Sequence, residues 1–134
     1  MTPFQKLRNM VLISIRRKEH YSMHYKMWNF IAAHLLYASD ELLNDANYIF
    51  RLKKTFLELN NCGDVYLNCF LCDLYYGTLI CNDCSKCPLH KLYDKPCADN
   101  TSPFSIVISR NYKRDTRIKA AKIIRDCVLR KGGK

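Results

Sequence analysis

The feature that most constrains this sequence is the spacing of its cysteines. Seven of the eight cysteines lie between residues 62 and 109, and two-residue gaps separate neighbouring cysteines three times. The full set is Cys62, Cys69, Cys72, Cys81, Cys84, Cys87, Cys97 and Cys127. Two thiolates at a two-residue gap reach one ion from a tight turn, and two such pairs complete a tetrahedral shell of four sulfurs. The spacing therefore predicts a metal centre in this segment.

The candidate ligands form two pairs and two single cysteines. The pairs are Cys69 with Cys72 and Cys84 with Cys87, with eleven residues between them. The single cysteines are Cys81 and Cys97, either of which can replace a member of the second pair. The predicted metal-site residues are Cys69, Cys72, Cys84, Cys87 and Cys97. Spacing leaves open which four of the six thiols bind.

Three kinds of chemistry fit such a cluster. We predict structural Zn²⁺, because four thiolates close the shell and leave no position for water. An iron–sulfur cluster is an alternative, since the run from Cys81 to Pro88 is similar to a ferredoxin motif, but it lacks the fourth cysteine at the required spacing. Reduced core cysteines or disulfides are the third possibility. Cys62 and Cys127 stand apart, and we expect them to be small buried side chains.

Composition and periodicity predict a mainly-α fold. The chain has 134 residues, 49% hydrophobic and 25% charged, which suits one domain with a core and is too short for two. We expect a single domain over 1–134. It would have helices over 1–61, an irregular zinc-knuckle insertion with four cysteine ligands over 62–109, and a basic C-terminal helix over 110–134.

Capping residues and apolar stripes place the expected helices. Thr2 and Pro3 favour a helix start, and a buried helix is expected around Trp28. Another helix is expected to begin at Ser39 and to stop near Asn60. The apolar stripe of the first helix is Phe4, Leu7, Val11 and Ile15, and that of the last is Ile118, Ala121, Ile124 and Val128.

Positive charge is concentrated at the two ends of the chain. The formal net charge is +10, from 22 Lys and Arg against 12 Asp and Glu. The last helix carries cations that we predict to contact nucleic acid or another partner, and none of them lies on its apolar stripe. They are Arg114, Arg117, Lys122 and Arg125. A cationic helix can follow a phosphate backbone, and the alternative is a solvated face that only favours solubility.

Other patterns argue against catalysis and against membrane insertion. The sequence has neither a nucleophile elbow nor a Gly-rich phosphate loop, so we expect no enzyme and no small-molecule substrate. His20 and His24 are expected at the surface, and His34 in the core. No segment suits a signal peptide or a bilayer span, so we expect a soluble intracellular protein without a membrane partner.

The cysteine pattern resembles that of a group of small Cys-rich proteins encoded by bacteriophages. The likeness covers about residues 65–105, and the flanking helices resemble those of the group loosely. The motifs that carry it are Cys69-x₂-Cys72, Cys84-x₂-Cys87-Pro88-Leu89, Cys97 and Ser102-Pro103-Phe104, after a Trp-containing helix, and the run Lys119–Ile124. Cys81 departs from the pattern. The resemblance implies a zinc knuckle and a phage protein in the cytoplasm of a bacterial host, and it carries over no activity.

Together these features favour binding over catalysis. We expect a zinc-stabilised basic phage accessory protein that binds a host nucleic acid or nucleoprotein machine stoichiometrically, during host takeover or counter-defence. An alternative is a protein–protein inhibitor of a host enzyme or defence factor, whose acidic surface would meet the basic helices. A metal-dependent enzyme is a third hypothesis, which turnover with an added divalent metal would distinguish.

Overall fold

The structure is a computed structural model that describes residues 2–62, 65, 69–75, 84–93 and 99–129, with the backbone alone at Ile13, Cys84 and Tyr93. Throughout this part of the chain the regular secondary structure is helical, without strands, which confirms the mainly-α prediction. The helices are α1 (Pro3–Tyr37), α2 (Asp40–Leu43), α3 (Tyr48–Leu59), α4 (Phe70–Tyr75), α5 (Pro88–Tyr93), α6 (Pro103–Ile108) and α7 (Arg114–Asp126). Short 3₁₀ turns cover Cys84–Lys86 and Cys127–Leu129.

Helix α1 is one continuous element where the sequence predicted two. The predicted start is confirmed, because the Thr2 hydroxyl accepts from the Gln5 N–H at 3.1 Å and the Gln5 side chain accepts from the Thr2 N–H at 2.8 Å. Neither glycine nor proline occurs between Phe4 and Tyr37. The chain therefore has no residue that would separate the N-terminal stripe from the Trp28 region.

The predicted helix from Ser39 to Asn60 is split by a turn. The Ser39 hydroxyl caps α2 by accepting from the Leu42 N–H at 3.2 Å, as predicted. Helix α2 has only four residues, however, and ends at Leu43. Helix α3 then ends before Asn60, and Asn61 has φ 53°, a left-handed conformation that asparagine tolerates. The predicted stop is therefore confirmed, and the predicted continuity from Ser39 is wrong.

The C-terminal half of α1 lies at the centre of the fold. Helix α7 packs along it in the antiparallel direction, since His24 meets Ile124 and Leu35 meets Arg114. Helices α3 and α4 pack against other sides of α1, and α6 packs on α7. The innermost apolar side chains of α1 are Met27, Trp28, Ile31 and Leu35, all at most 2% exposed. Among the described residues, no helix is both long and apolar enough to cross a membrane.

Candidate functional site

The first cysteine pair lies at the start of α4. The Cys72 N–H donates to Cys69 Sγ at 3.5 Å, a contact that holds the two residues in one turn. A hydrogen bond from the Cys72 side chain lowers the pKa of the Cys69 thiol to about 6, assisted by the charge of Lys53 and the N–H groups of Cys72 and Leu71 and opposed by burial. Cys69 is therefore poised to be a thiolate, the form that binds metals.

The second pair lies close to the first. Its 3₁₀ turn, Cys84–Lys86, packs against α4. Cys87 precedes α5, where its carbonyl accepts from the Lys91 N–H at 2.9 Å. Cys87 is buried in the same apolar core against which Cys69 packs. The fold thus brings the two pairs to neighbouring positions although eleven residues separate them in the chain.

Lys53 of α3 provides a test of whether these thiols suit a metal. This side chain is only 3% exposed, and its ammonium group lies 4.9, 5.9 and 6.0 Å from the ring centroids of Phe104, Trp28 and Phe50. A buried ammonium needs negative charge nearby, of which aromatic faces supply a part. Its field also reaches Cys69 and favours the thiolate there. Four thiolates around Zn²⁺ keep a net negative charge, so the donor set and the buried cation fit each other.

The remaining predicted ligands fall outside the described structure. Cys81 and Cys97 belong to segments that are not described, and at Cys84 the description stops at the backbone. Within the described ranges, no group of three or more His, Cys, Asp and Glu side chains could hold a metal ion. The ligand set therefore stays a prediction, with Cys69, Cys72 and Cys87 placed on neighbouring elements.

Arg117 corrects the prediction for the basic helix. The sequence places it off the apolar stripe of α7, yet it is 1% exposed. Its Nε donates to the Val107 carbonyl at 2.8 Å and its Nη1 to the Leu43 carbonyl at 2.7 Å. Both acceptors lie in the last turns of short helices, where carbonyls lack a partner within the helix. Arg117 is thus a core residue that caps α2 and α6, and it is not available to a partner.

Arg114 performs a similar role for α1. Its Nη1 donates to the carbonyls of Leu35 and Leu36, at 2.8 and 3.1 Å, in the last turn of that helix. Its Nη2 also lies 3.7 Å from the Asp40 carboxylate. This half-buried guanidinium therefore joins the end of α1 to the start of α7.

Arg125 and Lys122 complete the predicted set. Arg125 forms two hydrogen bonds with Asp126, donates to the Asn29 side chain at 3.0 Å, and lies over the Tyr25 ring at 5.3 Å. The hydrogen bond to Asp126 raises the pKa of this guanidinium. Lys122 is exposed. Of the four predicted contact residues, one is buried, two are half-buried with partners inside the chain, and Lys122 faces solvent.

Two histidines of α1 are placed opposite to expectation. His24 is 1% exposed, and its Nε2–H donates to the Ile124 carbonyl at 2.7 Å, with Cys127 Sγ 3.7 Å away. Burial lowers the pKa of His24 to about 4. His34, expected in the core, is exposed and stacks on Phe30 with ring centroids 4.1 Å apart.

His20 joins α1 to the cysteine-bearing helix α4. Its Nε2 lies 2.7 Å from Asp73 Oδ2, and Arg16 Nη2 lies 3.3 Å from the same oxygen. Asp73 directly follows Cys72 in the chain. The contacts of His20 and Arg16 with Asp73 therefore help to position the first cysteine pair. This role could not be predicted from the sequence, because 53 residues separate His20 from Asp73.

Exposed cations lie on both α1 and α7, two helices that pack against each other. Lys18 and Lys26 are exposed on α1, whose only acidic residue is Glu19. Lys122 lies one turn before Arg125, whose contacts with Tyr25 and Asn29 place that face of α7 beside α1. We call Lys18, Lys26 and Lys122 the basic strip.

Comparisons of the chain with protein-family models, with curated proteins and with solved structures gave no match.

Proposed function

We propose that this chain is a zinc-stabilised helical protein that binds nucleic acid through the basic strip. The observation that carries the proposal is the exposure of Lys18, Lys26 and Lys122 on two helices that pack against each other. Exposed ammonium groups can replace the counterions of a phosphate backbone, and the release of those counterions drives binding. The guanidinium of Arg117 cannot do so, because it is buried against carbonyls.

The proposed contact is with backbone phosphates and not with base edges. Phosphate contacts supply affinity without sequence information. The net charge of +10 and the resemblance to phage-encoded Cys-rich proteins favour a host nucleic acid or nucleoprotein machine as the target. In this proposal the protein acts stoichiometrically in the host cytoplasm, during takeover or counter-defence, and performs no reaction.

Zinc has a structural role in this proposal. Cys69, Cys72 and two further thiols of the 84–97 region would hold the ion, which supplies no catalytic chemistry in a closed tetrathiolate shell. Helices α4 and α5 have six residues each, too few to be stable alone in water. A metal bound between them would supply the free energy that orders this side of α1.

The salt dependence of binding tests the function. The affinity for a short mixed-sequence DNA or RNA duplex is measured over a series of salt concentrations. We expect log K to fall linearly with log salt. The triple variant Lys18→Gln, Lys26→Gln, Lys122→Gln should lower the slope by about 2 to 3, since each phosphate contact contributes roughly 0.7 to 0.9.

A matched variant controls for net charge. Lys54→Gln, Lys86→Gln, Lys91→Gln removes the same charge from exposed positions on other elements. We expect it to retain most of the slope. Equal slopes for the parent and the basic-strip variant would overturn the proposed contact and favour the protein-inhibitor hypothesis.

A further inference from the structure

The N-terminal part of α1 exposes an unusual amount of apolar surface. We call residues 2–17 the arm. Its described side chains up to Ile15 are all exposed. The large apolar ones are Phe4 at 73%, Leu7 at 60%, Met10 at 66%, Val11 at 50%, Leu12 at 53% and Ile15 at 52%. Exposed apolar residues that adjoin one another are typical of an interaction site.

The apolar sector of the arm is broad. At 3.6 residues per turn, the sector from Met10 through Phe4 to Leu12 covers about 200° of the helix circumference. Arg8 lies within it, and a long cationic side chain can extend from such a sector to a polar layer. A two-helix seam uses a narrower stripe. A helix that lies on a planar surface contacts it with about half of its circumference, which is the width of this sector.

The middle of the sector points away from the body of the protein, whereas Met10 at its edge lies on the same line along α1 as the buried Trp28. Phe4, Val11 and Ile15 lie on the same line along α1 as Ser22 and Asn29, which are exposed. The core-facing side chains of α1, such as Ile31, lie about 180° from that line by helical geometry. A flat surface can therefore meet the middle of the sector, around Phe4, Val11 and Ile15, on the side of α1 opposite to Ile31.

The charge of the arm selects the kind of surface. It contains Lys6, Arg8, Arg16 and Arg17 and no acidic residue. Two copies of such a helix repel each other, whereas anionic headgroups attract it. We propose that the arm lies in the interface of an anionic lipid bilayer, with its apolar sector among the acyl chains and Lys6, Arg8 and Arg17 among the headgroups, while Arg16 pairs with Asp73 of α4. An interfacial helix needs a broad apolar face flanked by Lys and Arg, and not the length and uniform apolarity of a spanning helix. The proposal thus goes beyond the expectation of no membrane partner, which considered only spanning segments.

Vesicle binding tests this proposal. The full chain is sedimented with vesicles of phosphatidylglycerol and phosphatidylcholine, and with vesicles of phosphatidylcholine alone. We expect partitioning into the anionic vesicles that falls at least tenfold in the neutral ones and that weakens with salt. The variant Phe4→Gln, Leu7→Gln, Val11→Gln, which keeps every cation, should lose at least tenfold in partitioning. Glutamine is a good helix former, so far-UV circular dichroism should be unchanged.

The control replaces a comparable leucine outside the arm. Leu59→Gln changes a side chain that is 69% exposed on α3 and should partition like the parent. Equal partitioning of the parent and the arm variant would overturn the proposal, as would no binding to anionic vesicles. A parent dimer that the arm variant dissociates would also overturn it, because the second copy would then be the occupant. The arm variant retains the basic strip, so its duplex binding and salt slope should match those of the parent and separate this proposal from the nucleic-acid one.

Discussion

Two cations are buried in the described part of the chain, and their surroundings differ. Arg117, between α2, α6 and α7, is 1% exposed and donates to two helix-end carbonyls. Lys53, on α3, is 3% exposed among three aromatic rings and favours the thiolate of Cys69. In the first environment carbonyl oxygens accept from two of the three guanidinium nitrogens, Nε and Nη1, and among the described residues Nη2 has no hydrogen-bond partner. The second favours an anion, and we propose that the neighbouring thiols supply it when they bind a metal.

This difference shows that the type of a buried cation indicates which electronegative groups surround it. A guanidinium suits several fixed carbonyls because its donors form a planar fork. An ammonium is a compact charge whose burial is tolerated where an anion or aromatic faces surround it. We therefore expect metal binding to affect the surroundings of Lys53 more than those of Arg117.

The largest expected effect is the loss of zinc. Metal binding by a tetrathiolate site is worth on the order of 10 kcal/mol in small zinc domains. Chelation, or Cys72→Ser, should make the segment 63–97 sensitive to protease while α1 and α7 retain most of their circular dichroism. Cys127→Ser should keep its zinc, because this thiol lies beside His24 and belongs to neither cysteine pair. If the segment 63–97 stays resistant to protease after chelation, the expected dependence of this segment on a metal is wrong.

The next effect concerns Arg117. Replacing it by methionine leaves the carbonyls of Val107 and Leu43 without their donor, and we expect a loss of about 3 kcal/mol in the free energy of unfolding. Urea denaturation measures it, with Lys119→Met at an exposed position of the same helix as the control. The loss should be the same with and without zinc. A change below about 1 kcal/mol would mean that the guanidinium does not cap α2 and α6.

Because Arg117 is a core residue, replacing Arg114, Arg117, Lys122 and Arg125 together would destabilise the fold and could not serve as a test of nucleic-acid binding.

Acid should weaken the seam between α1 and α7 through His24. Burial lowers its pKa from the ordinary value of 6.5 to about 4, so the unfolded chain binds the proton first as the pH falls. The free energy of unfolding is therefore unaffected by His24 above pH 6.5. It falls by up to about 3 kcal/mol as the pH drops from 6.5 to 4. Urea denaturation of the parent and of His24→Gln at pH 7 and pH 4.5 should show a smaller acid loss in the variant. Equal losses would contradict a buried neutral His24.

A smaller effect, on zinc affinity, distinguishes Lys53 from Arg117. Lys53→Met removes a positive charge beside the thiolates, and we expect zinc affinity, measured by competition with a chelator, to fall about tenfold. The metal-free variant should be at least as stable as the metal-free parent, because the burial of an ammonium group costs free energy that methionine avoids. Arg117→Met, in contrast, should leave zinc affinity unchanged. Unchanged zinc affinity in Lys53→Met would remove the link between this lysine and the cysteines.

Local signals in the sequence predicted the helix starts at Thr2 and Ser39, and the clustering of the cysteines around a metal stays a prediction. The caps at Thr2 and Ser39 depend on residues within one turn, and the apolar periodicity of α7 is visible in its own sequence. The burial of Arg117 was not predictable in this way. One of its acceptors, Leu43, lies 74 residues away, so only the packed fold shows that its carbonyl needs a donor. His24 escaped prediction for the same reason, since its partner at Ile124 lies 100 residues along the chain.

The zinc content of the protein as purified tests the central claim most directly. Elemental analysis of the full chain, with protein concentration measured independently, should give about one zinc per chain, as one closed tetrathiolate site requires. The Cys69→Ser, Cys72→Ser variant should contain little zinc, and Cys127→Ser should match the parent. Stoichiometric iron with visible absorbance, or a folded and protease-resistant protein without metal, would contradict the account.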